Sequence, residues 1–255
     1  MTIPRVLAIV PARMASTRFP GKPLALLAGL PMVEHVRRRV KLCKLIDDVV
    51  VATCDTEIVL AIEANGGRAV MTAATHERCT DRVAEAAGHE TAEIIVNVQG
   101  DEPLISPDIL ESVIRPLLDD PKLDCANLIS SITDEEALSS NLVKVTFDCQ
   151  MNAMYFSREA IPSLKMAGKL KVQRYKQLGI IAFRRDLLSA YMRLTPTPLE
   201  AIESVDMQRL LEHGYRIKLV PVISNSIGVD TPRDLQQAAE LMRADPWLSH
   251  YVAKQ

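Results

Sequence analysis

Three permanent cations, Arg13, Arg18 and Lys22, fall within ten positions directly after the apolar run Val6 to Val10. In an open parallel sheet the first strand-to-helix loop is the usual holder of phosphate, in the crevice beyond the carboxyl ends of the strands. This loop carries only one glycine, Gly21, so it is neither a G-x-G-x-x-G turn nor a G-x-x-x-x-G-K-[ST] loop, both of which cradle phosphate through backbone N–H groups. Charge must do that work here, helped by the Ser16 and Thr17 hydroxyls and by loop amides. Three fixed cations suit a polyphosphate better than a single carboxylate. The alternative is a solvated basic loop, and it is disfavoured because Pro11, Pro20, Gly21 and Pro23 stiffen a segment that a mere connector would leave slack.

Two acids complete the set. A buried apolar strand, Ile94 to Val98, ends in Gln99-Gly100-Asp101, which places Asp101 at the same sheet edge as the cationic loop. A carboxylate there can hold Mg²⁺ against phosphate oxygens, since magnesium takes one or two protein carboxylates and fills its octahedron with water and phosphate. Asp230, in Gly228-Val229-Asp230-Thr231-Pro232, again follows a strand. Each acid has a structural alternative: Asp101 as the cap of the next helix, and Asp230 as the N-cap of the last one.

The elements that must position these residues are legible as an alternation. Strands are expected at Val6–Val10, Val49–Thr53, Arg68–Met71, Ile94–Val98 and Asn127–Ile132, with helices at Pro31–Leu42, Thr56–Asn65, Asp81–Ala87 and Pro107–Leu118. That order predicts an α/β fold with a mostly parallel twisted sheet and helices on both faces. From Val143 the pattern loosens. Val143–Phe147, Ala153–Phe156 and Leu178–Phe183 are strand-like, and the basic stretch Lys165–Lys176 reads as an exposed excursion. A helix Leu199–His213, a strand Ile217–Val222 and a last helix from Thr231 follow. The expectation is one domain over residues 1–255, with a small lobe or dimer arm inserted at about 143–198.

Composition narrows the partners. The chain has 255 residues, 48% of them hydrophobic, and a formal charge of -2 with 24% charged residues. The basic loop is therefore a local device and not part of a nucleic-acid face. Five cysteines without a C-x-x-C pair argue against a disulfide framework or a structural zinc site. No run reaches the length of a membrane span, and no cleavable leader pattern opens the chain, so a cytoplasmic location is expected.

Taken together, the blocks Pro11-Ala12-Arg13, Ser16-Thr17-Arg18, Pro20-Gly21-Lys22-Pro23, Thr80-Asp81-Arg82, Val96-Asn97-Val98-Gln99-Gly100-Asp101-Glu102-Pro103, Tyr155-Phe156-Ser157-Arg158 and Gly228-Val229-Asp230-Thr231-Pro232 resemble the cytidylyltransferases that activate 3-deoxy-manno-octulosonate (Kdo), the sugar acid of outer-membrane lipopolysaccharide. The resemblance covers nearly the whole chain. It implies a Rossmann-like nucleotidyltransferase fold with a small dimerising lobe and a homodimer, CTP and Mg²⁺ as co-substrate and cofactor, and CMP transfer to an acidic acceptor with release of pyrophosphate. Carried over by position, Pro11, Ala12, Arg13, Ser16, Thr17, Arg18, Lys22 and Gln99 would bind the nucleotide. Asp101 and Asp230 would bind the metal, and Arg13, Lys22 and Asp101 would be catalytic. Arg78, Thr80, Arg82, Arg158, Gln177 and Asp206 would serve the acceptor.

The acceptor side departs from the family pattern. His-x-Ser-Gly-Thr-Asp-Arg becomes His76-Glu77-Arg78-Cys79-Thr80-Asp81-Arg82, and His-[Ile/Leu]-Gly-Ile-Tyr becomes Gln177-Leu178-Gly179-Ile180-Ile181. Glu-x-Leu-Glu-Gln-Leu-Arg becomes Glu203-Ser204-Val205-Asp206-Met207-Gln208-Arg209. Ile181 and Met207 offer no conventional hydrogen bond to a sugar hydroxyl. A modified octulosonate or a small phosphonate is therefore an alternative acceptor, with neutral drift in a Kdo enzyme as the counter-reading. A non-catalytic CTP-binding paralogue would be expected to lose Lys22, Asp101 or Asp230, and an NAD-dependent dehydrogenase would need the missing glycine fingerprint.

Overall fold

A computed structural model describes residues 4–16, 18–224 and 226–252. The chain divides into two compact units, residues 1–111 with 225–255, and residues 112–224.

The first unit begins with β1 (Val6–Pro11), buried along its whole length. A loop containing a short 3-10 turn at Lys22–Leu24 leads to the two-residue strands β2 (Leu26–Leu27) and β3 (Leu30–Pro31), which pair as a hairpin. Then come α1 (Met32–Lys41), β4 (Asp48–Thr53), α2 (Thr56–Ala64), β5 (Arg68–Met71), α3 (Cys79–Gly88) and β6 (Ile94–Val98). β1 lies between β4 and β6, parallel to both, with Ala8 opposite Val49 on one side and Val96 on the other, and β5 is parallel to β4 at the outside. Continuous apolar strands are what a sheet covered on both faces requires, and Ala8, Ile9, Val10, Val50, Val51, Ile94 and Ile95 are all fully buried. Right-handed crossovers place α1 and α2 over one face and α3, which returns the chain past β1 to β6, over the other.

α4 (Pro107–Asp119) leads into the second unit. There β7 (Cys125–Ile132), α5 (Asp134–Ala137), β8 (Lys144–Phe147), β9 (Ala153–Ser157), β10 (Arg174–Arg184), α6 (Arg185–Tyr191), α7 (Pro198–Glu203), α8 (Met207–Glu212) and β11 (Lys218–Pro221) follow in order. This unit is mixed: β11 runs parallel to β7, while β10 is antiparallel to both β7 and β8, and β9 is antiparallel to β8. The ladder between β10 and β7 shifts register between Gln177 and Ile181. Asn127, buried on β7, supplies what the shift removes, donating from Nδ2 to the Leu178 carbonyl at 2.8 Å and to the Ile180 carbonyl at 3.1 Å. The chain then re-enters the first unit as α9 (Pro232–Met242), whose Ala238 and Met242 pack with Leu27, Met32 and Val229.

Two sequence expectations are corrected and one alternative is closed. The helix expected over Leu199–His213 is two helices, because Ser204 is left-handed (φ 53°, ψ 51°) and the Val205 N–H reaches back to the Glu200 carbonyl at 3.3 Å, a helix-ending turn usually built on glycine. The basic excursion ends earlier than expected. β10 already begins at Arg174, which is buried and donates to the Pro162 carbonyl and to Asp134, so its charge is an internal tie and not a sign of exposure. The N-cap of α9 is Thr231, in a capping box with Asp234, and not Asp230.

Candidate functional site

The sequence places Arg13, Arg18 and Lys22 at one sheet edge with Asp101, and the family resemblance adds Asp230; within the first unit the structure brings Arg18, Lys22, Asp101 and Asp230 together, while Arg13 stays exposed on the same loop. Lys22 Nζ donates to Asp101 Oδ2 at 2.8 Å and to Asp230 Oδ1 at 3.2 Å, while Arg18 Nη2 lies 3.1 Å from Asp230 Oδ2. The Lys22 side chain is only 12% exposed, whereas the Arg18 side chain is 55% exposed. One cation is thus set into the floor and the other reaches from the rim. Neither carboxylate caps a helix: α4 starts six residues beyond Asp101, and Thr231 has taken the cap of α9.

Several features of the chain force this arrangement. Gly100 packs so closely under the end of β1 that a Cβ there would lie 2.7 Å from the Pro11 carbonyl oxygen, so no other residue lets the two loops approach as they do. Gly21 takes a left-handed φ of 71° just before the Lys22 turn. Val229 donates its N–H to the Asp101 carbonyl at 2.9 Å, which ties the two acidic loops together. Asp234 accepts the Asp230 N–H at 3.0 Å and the Thr231 N–H at 2.8 Å. Burial would raise the Asp234 carboxyl, but these bonds hold it below its ordinary value, so it stays an ionised acceptor.

The remaining nucleotide-side residues lie around this cluster. Pro11 and Ala12 are buried, with the Ala12 N–H on the Ala52 carbonyl at 2.9 Å, and Arg13 is exposed. Ser16 Oγ accepts the Phe19 N–H at 3.2 Å, so its hydroxyl shapes the loop, and Thr17 lies outside the described residues. Asp55 carries no expectation from the sequence, yet its carboxylate accepts the Met14 N–H at 2.7 Å and pins the cationic loop to the end of β4. Gln99 Nε2 donates to Cys79 Sγ at 3.0 Å. Cys79 opens α3 where the family pattern has glycine, and nothing in its own sequence context signals that contact.

The acceptor-side expectations fall in both units. On and before α3, Arg78 is half-buried and Thr80 buried, while Arg82, also buried, donates to Thr72 Oγ1. In the second unit the Arg158 guanidinium donates to three carbonyls, those of Glu203 (2.8 Å), Ser140 (2.9 Å) and Ser204 (3.3 Å). Gln177 Nε2 donates to Asn127 Oδ1 at 2.7 Å, and Asp206 sits half-buried just before α8. The two apolar departures, Ile181 and Met207, are 4% and 0% exposed. They are packing residues of the second unit.

The chain matches the family model described as cytidylyltransferase over residues 7–217. It belongs to the cytidylyltransferase family. Within that family its sequence is 46% identical over 248 residues to the 3-deoxy-manno-octulosonate cytidylyltransferase of Geobacter metallireducens, covering 92% of this chain and 97% of the relative. It is 43% identical over 241 residues to the enzyme of the same name in Myxococcus xanthus, covering 94% and 97%. A solved structure of CMP:2-keto-3-deoxy-manno-octonic acid synthetase complexed with CTP is similar, with a TM-score of 0.89, 38% identity, and coverage of 94% of this cytidylyltransferase and 99% of that chain. The 4-diphosphocytidyl-2C-methyl-D-erythritol synthase of Anaerococcus prevotii, at 17% identity and a TM-score of 0.65, shares the fold. The expected α/β nucleotidyltransferase architecture is therefore the one found. No helix among the described residues is long and apolar enough to cross a membrane.

Proposed function

We propose that this chain transfers CMP from CTP to an acidic sugar of the 3-deoxy-manno-octulosonate type and releases pyrophosphate. The observation that carries this reading is the seating of Lys22 between Asp101 and Asp230 with Arg18 at the rim, a set of charges able to take a triphosphate and a metal at one place. Relatives that share more than two-fifths of its residues carry the name of this activity, and a neighbour in fold was solved with CTP. A CTP-binding paralogue without activity would have no reason to keep all four groups in register.

The donor set fits a divalent ion. A cation, the Lys22 ammonium, already contacts one oxygen of each carboxylate, and two carboxylates with phosphate and water complete the coordination that magnesium prefers. Among the described residues no group of three or more His, Cys, Asp or Glu forms a protein-only cage. Asp101 and Asp230 would hold Mg²⁺, which when bound neutralises phosphate oxygens. The acceptor hydroxyl oxygen forms a bond to the α-phosphorus as the bond to the pyrophosphate oxygen breaks, and the hydroxyl proton leaves to solvent. Arg13, Arg18 and Lys22 bind and orient the triphosphate for that in-line displacement and offset the charge that builds on the leaving group. No covalent nucleophile is needed.

Pro11, Ala12, Ser16, Thr17 and Gln99 complete the nucleotide side. Arg78, Thr80, Arg82, Arg158, Gln177 and Asp206 serve the acceptor side, by touching the acid or by placing the groups that do. The proposal includes a homodimer, consistent with the exposed Met154, Met166 and Leu170 of the second unit, and a cytoplasmic site of action. Because Ile181 and Met207 are packing residues, their departure from the family pattern favours Kdo over a changed acid. Pyrophosphate release from CTP and Mg²⁺ should be measured across Kdo, amino-Kdo, sialic-type acids and small phosphonates. Preference for Kdo is expected. A phosphonate used with a higher kcat/KM would overturn the acceptor, and silence with every acid would overturn the activity.

A further inference from the structure

Glu203 and Arg158, 45 positions apart, grip each other through main chain and side chain at once. The Arg158 N–H donates to Glu203 Oε2 at 2.8 Å, and Arg158 Nε–H donates to the Glu203 carbonyl, also at 2.8 Å. Glu203 Oε1 accepts the Tyr155 hydroxyl at 3.0 Å and the Ser157 hydroxyl at 2.9 Å. Beneath them Lys144, fully buried, donates from Nζ to the Ser139 and Leu142 carbonyls at 2.8 Å and to the Arg158 carbonyl. The end of β9, the 139–142 turn and the end of α7 are thereby laced into one corner.

That corner holds a strained residue. Ser204 occupies the left-handed region, which is unfavourable for a non-glycine residue, and such residues persist where their surroundings over-determine them. The Arg158 guanidinium supplies that constraint by taking the carbonyls on both sides of the bend, Glu203 and Ser204. Ending a helix does not by itself call for this network. Two residues beyond the bend the chain presents Asp206.

We infer that Glu203 and Arg158 are a positioning pair whose reciprocal clamp fixes the Ser204 bend and so sets Asp206 for the acceptor acid. The inference rests on the proposed acceptor role of Asp206. Arg158 then acts through the bend, with its guanidinium occupied by carbonyls, and does not touch the acid.

Glu203→Ala and Glu203→Gln in the full chain test this through amide hydrogen exchange over residues 204–207 and steady-state kinetics with CTP and Kdo. Glu203→Ala should speed exchange there about tenfold and raise KM for Kdo about tenfold, while KM for CTP moves less than about twofold. Glu203→Gln keeps an oxygen for the Arg158 N–H and should stay within about threefold of wild type in both readouts. Unchanged exchange in Glu203→Ala overturns the clamp, and so does a rise in both KM values in step with lost thermal stability. If Glu203→Ala fails to fold, Tyr155→Phe removes one donor and should move exchange and KM for Kdo the same way by about threefold, no movement overturning the inference. If the wild type does not use Kdo, the acceptor reading fails separately, and the exchange arm still decides whether the clamp exists.

Discussion

Two clusters of charge, one in each unit, are held in opposite ways. In the first, Arg18, Lys22, Asp101 and Asp230 are paired with one another at a partly open surface, so an incoming triphosphate can offer each cation a new partner. In the second, Arg158, Lys144 and Arg174 donate largely to backbone carbonyls, and Gln177 donates to Asn127. Those bonds are part of the fold, and a ligand cannot take them without undoing it. A motif residue with exchangeable partners is placed to bind, while one tied to main chain is placed to hold something else.

The largest test of that contrast is Lys22→Ala. Removing the floor cation should cost turnover about 10²–10³-fold, near 3 kcal/mol of charge stabilisation, with thermal stability nearly unchanged. A variant that unfolds yet keeps normal activity per folded molecule would make Lys22 a structural residue like Lys144 and erase the contrast.

Gly100→Ala should come next. Its Cβ would meet backbone at 2.7 Å, so the Asp101 loop must shift, and a loss of about 1–3 kcal/mol in stability is expected, accompanied by lower activity. A denaturation midpoint equal to wild type would show that the two loops are not held as described.

Much of the first unit was legible because its physics is local. Apolar runs gave β1, β4, β5 and β6 nearly to the residue, and an acid just past β6 gave Asp101, whereas Asp230 lies nine residues beyond the end of β11 and was legible only through the family resemblance. What could not be read is what depends on a partner far along the chain. The apolar helical period runs straight through Ser204, and the bend exists only because Arg158 and the Glu200 carbonyl bind there. Arg174 looks solvated until Pro162 and Asp134 are placed beside it. Asp55, Asn127 and Cys79 carry no sequence pattern that names the amides they accept or the carbonyls they satisfy.

Acid should separate the units. In the first, the His35 Nε2–H donates to the Leu27 carbonyl at 2.6 Å, leaving Nδ1 to accept the Tyr251 hydroxyl at 2.9 Å. Burial lowers the imidazole, the Leu27 carbonyl opposes this, and the Arg39 and Arg38 charges lower it further. The unfolded chain therefore takes the proton first, and stability should start to fall as pH drops below about 6.5. In the second, burial raises the Glu203 carboxyl, but the Arg158 N–H and the Ser157 and Tyr155 hydroxyls outweigh it and hold the group low. Its contribution should persist until pH falls below about 4.3. Denaturant midpoints from Trp247, the single tryptophan and four residues from Tyr251, should decline between pH 7 and 5. Flat midpoints over that range would contradict the role of His35.

The smallest expected change is a gain. Ser204→Gly relieves the left-handed strain and should leave thermal stability equal or up to about 1 kcal/mol higher, because glycine also loses more freedom on folding. A clear loss would mean that the Ser204 side chain itself supports the corner.

If Asp101 and Asp230 serve a metal on the triphosphate, a magnesium titration of pyrophosphate release from CTP and Kdo will show it. Wild type should saturate with Mg²⁺, while Asp101→Asn, folded as judged by its thermal midpoint, should lose that response along with most of its rate. An Asp101→Asn enzyme with the wild-type rate and the wild-type magnesium curve would mean that Asp101 holds no metal.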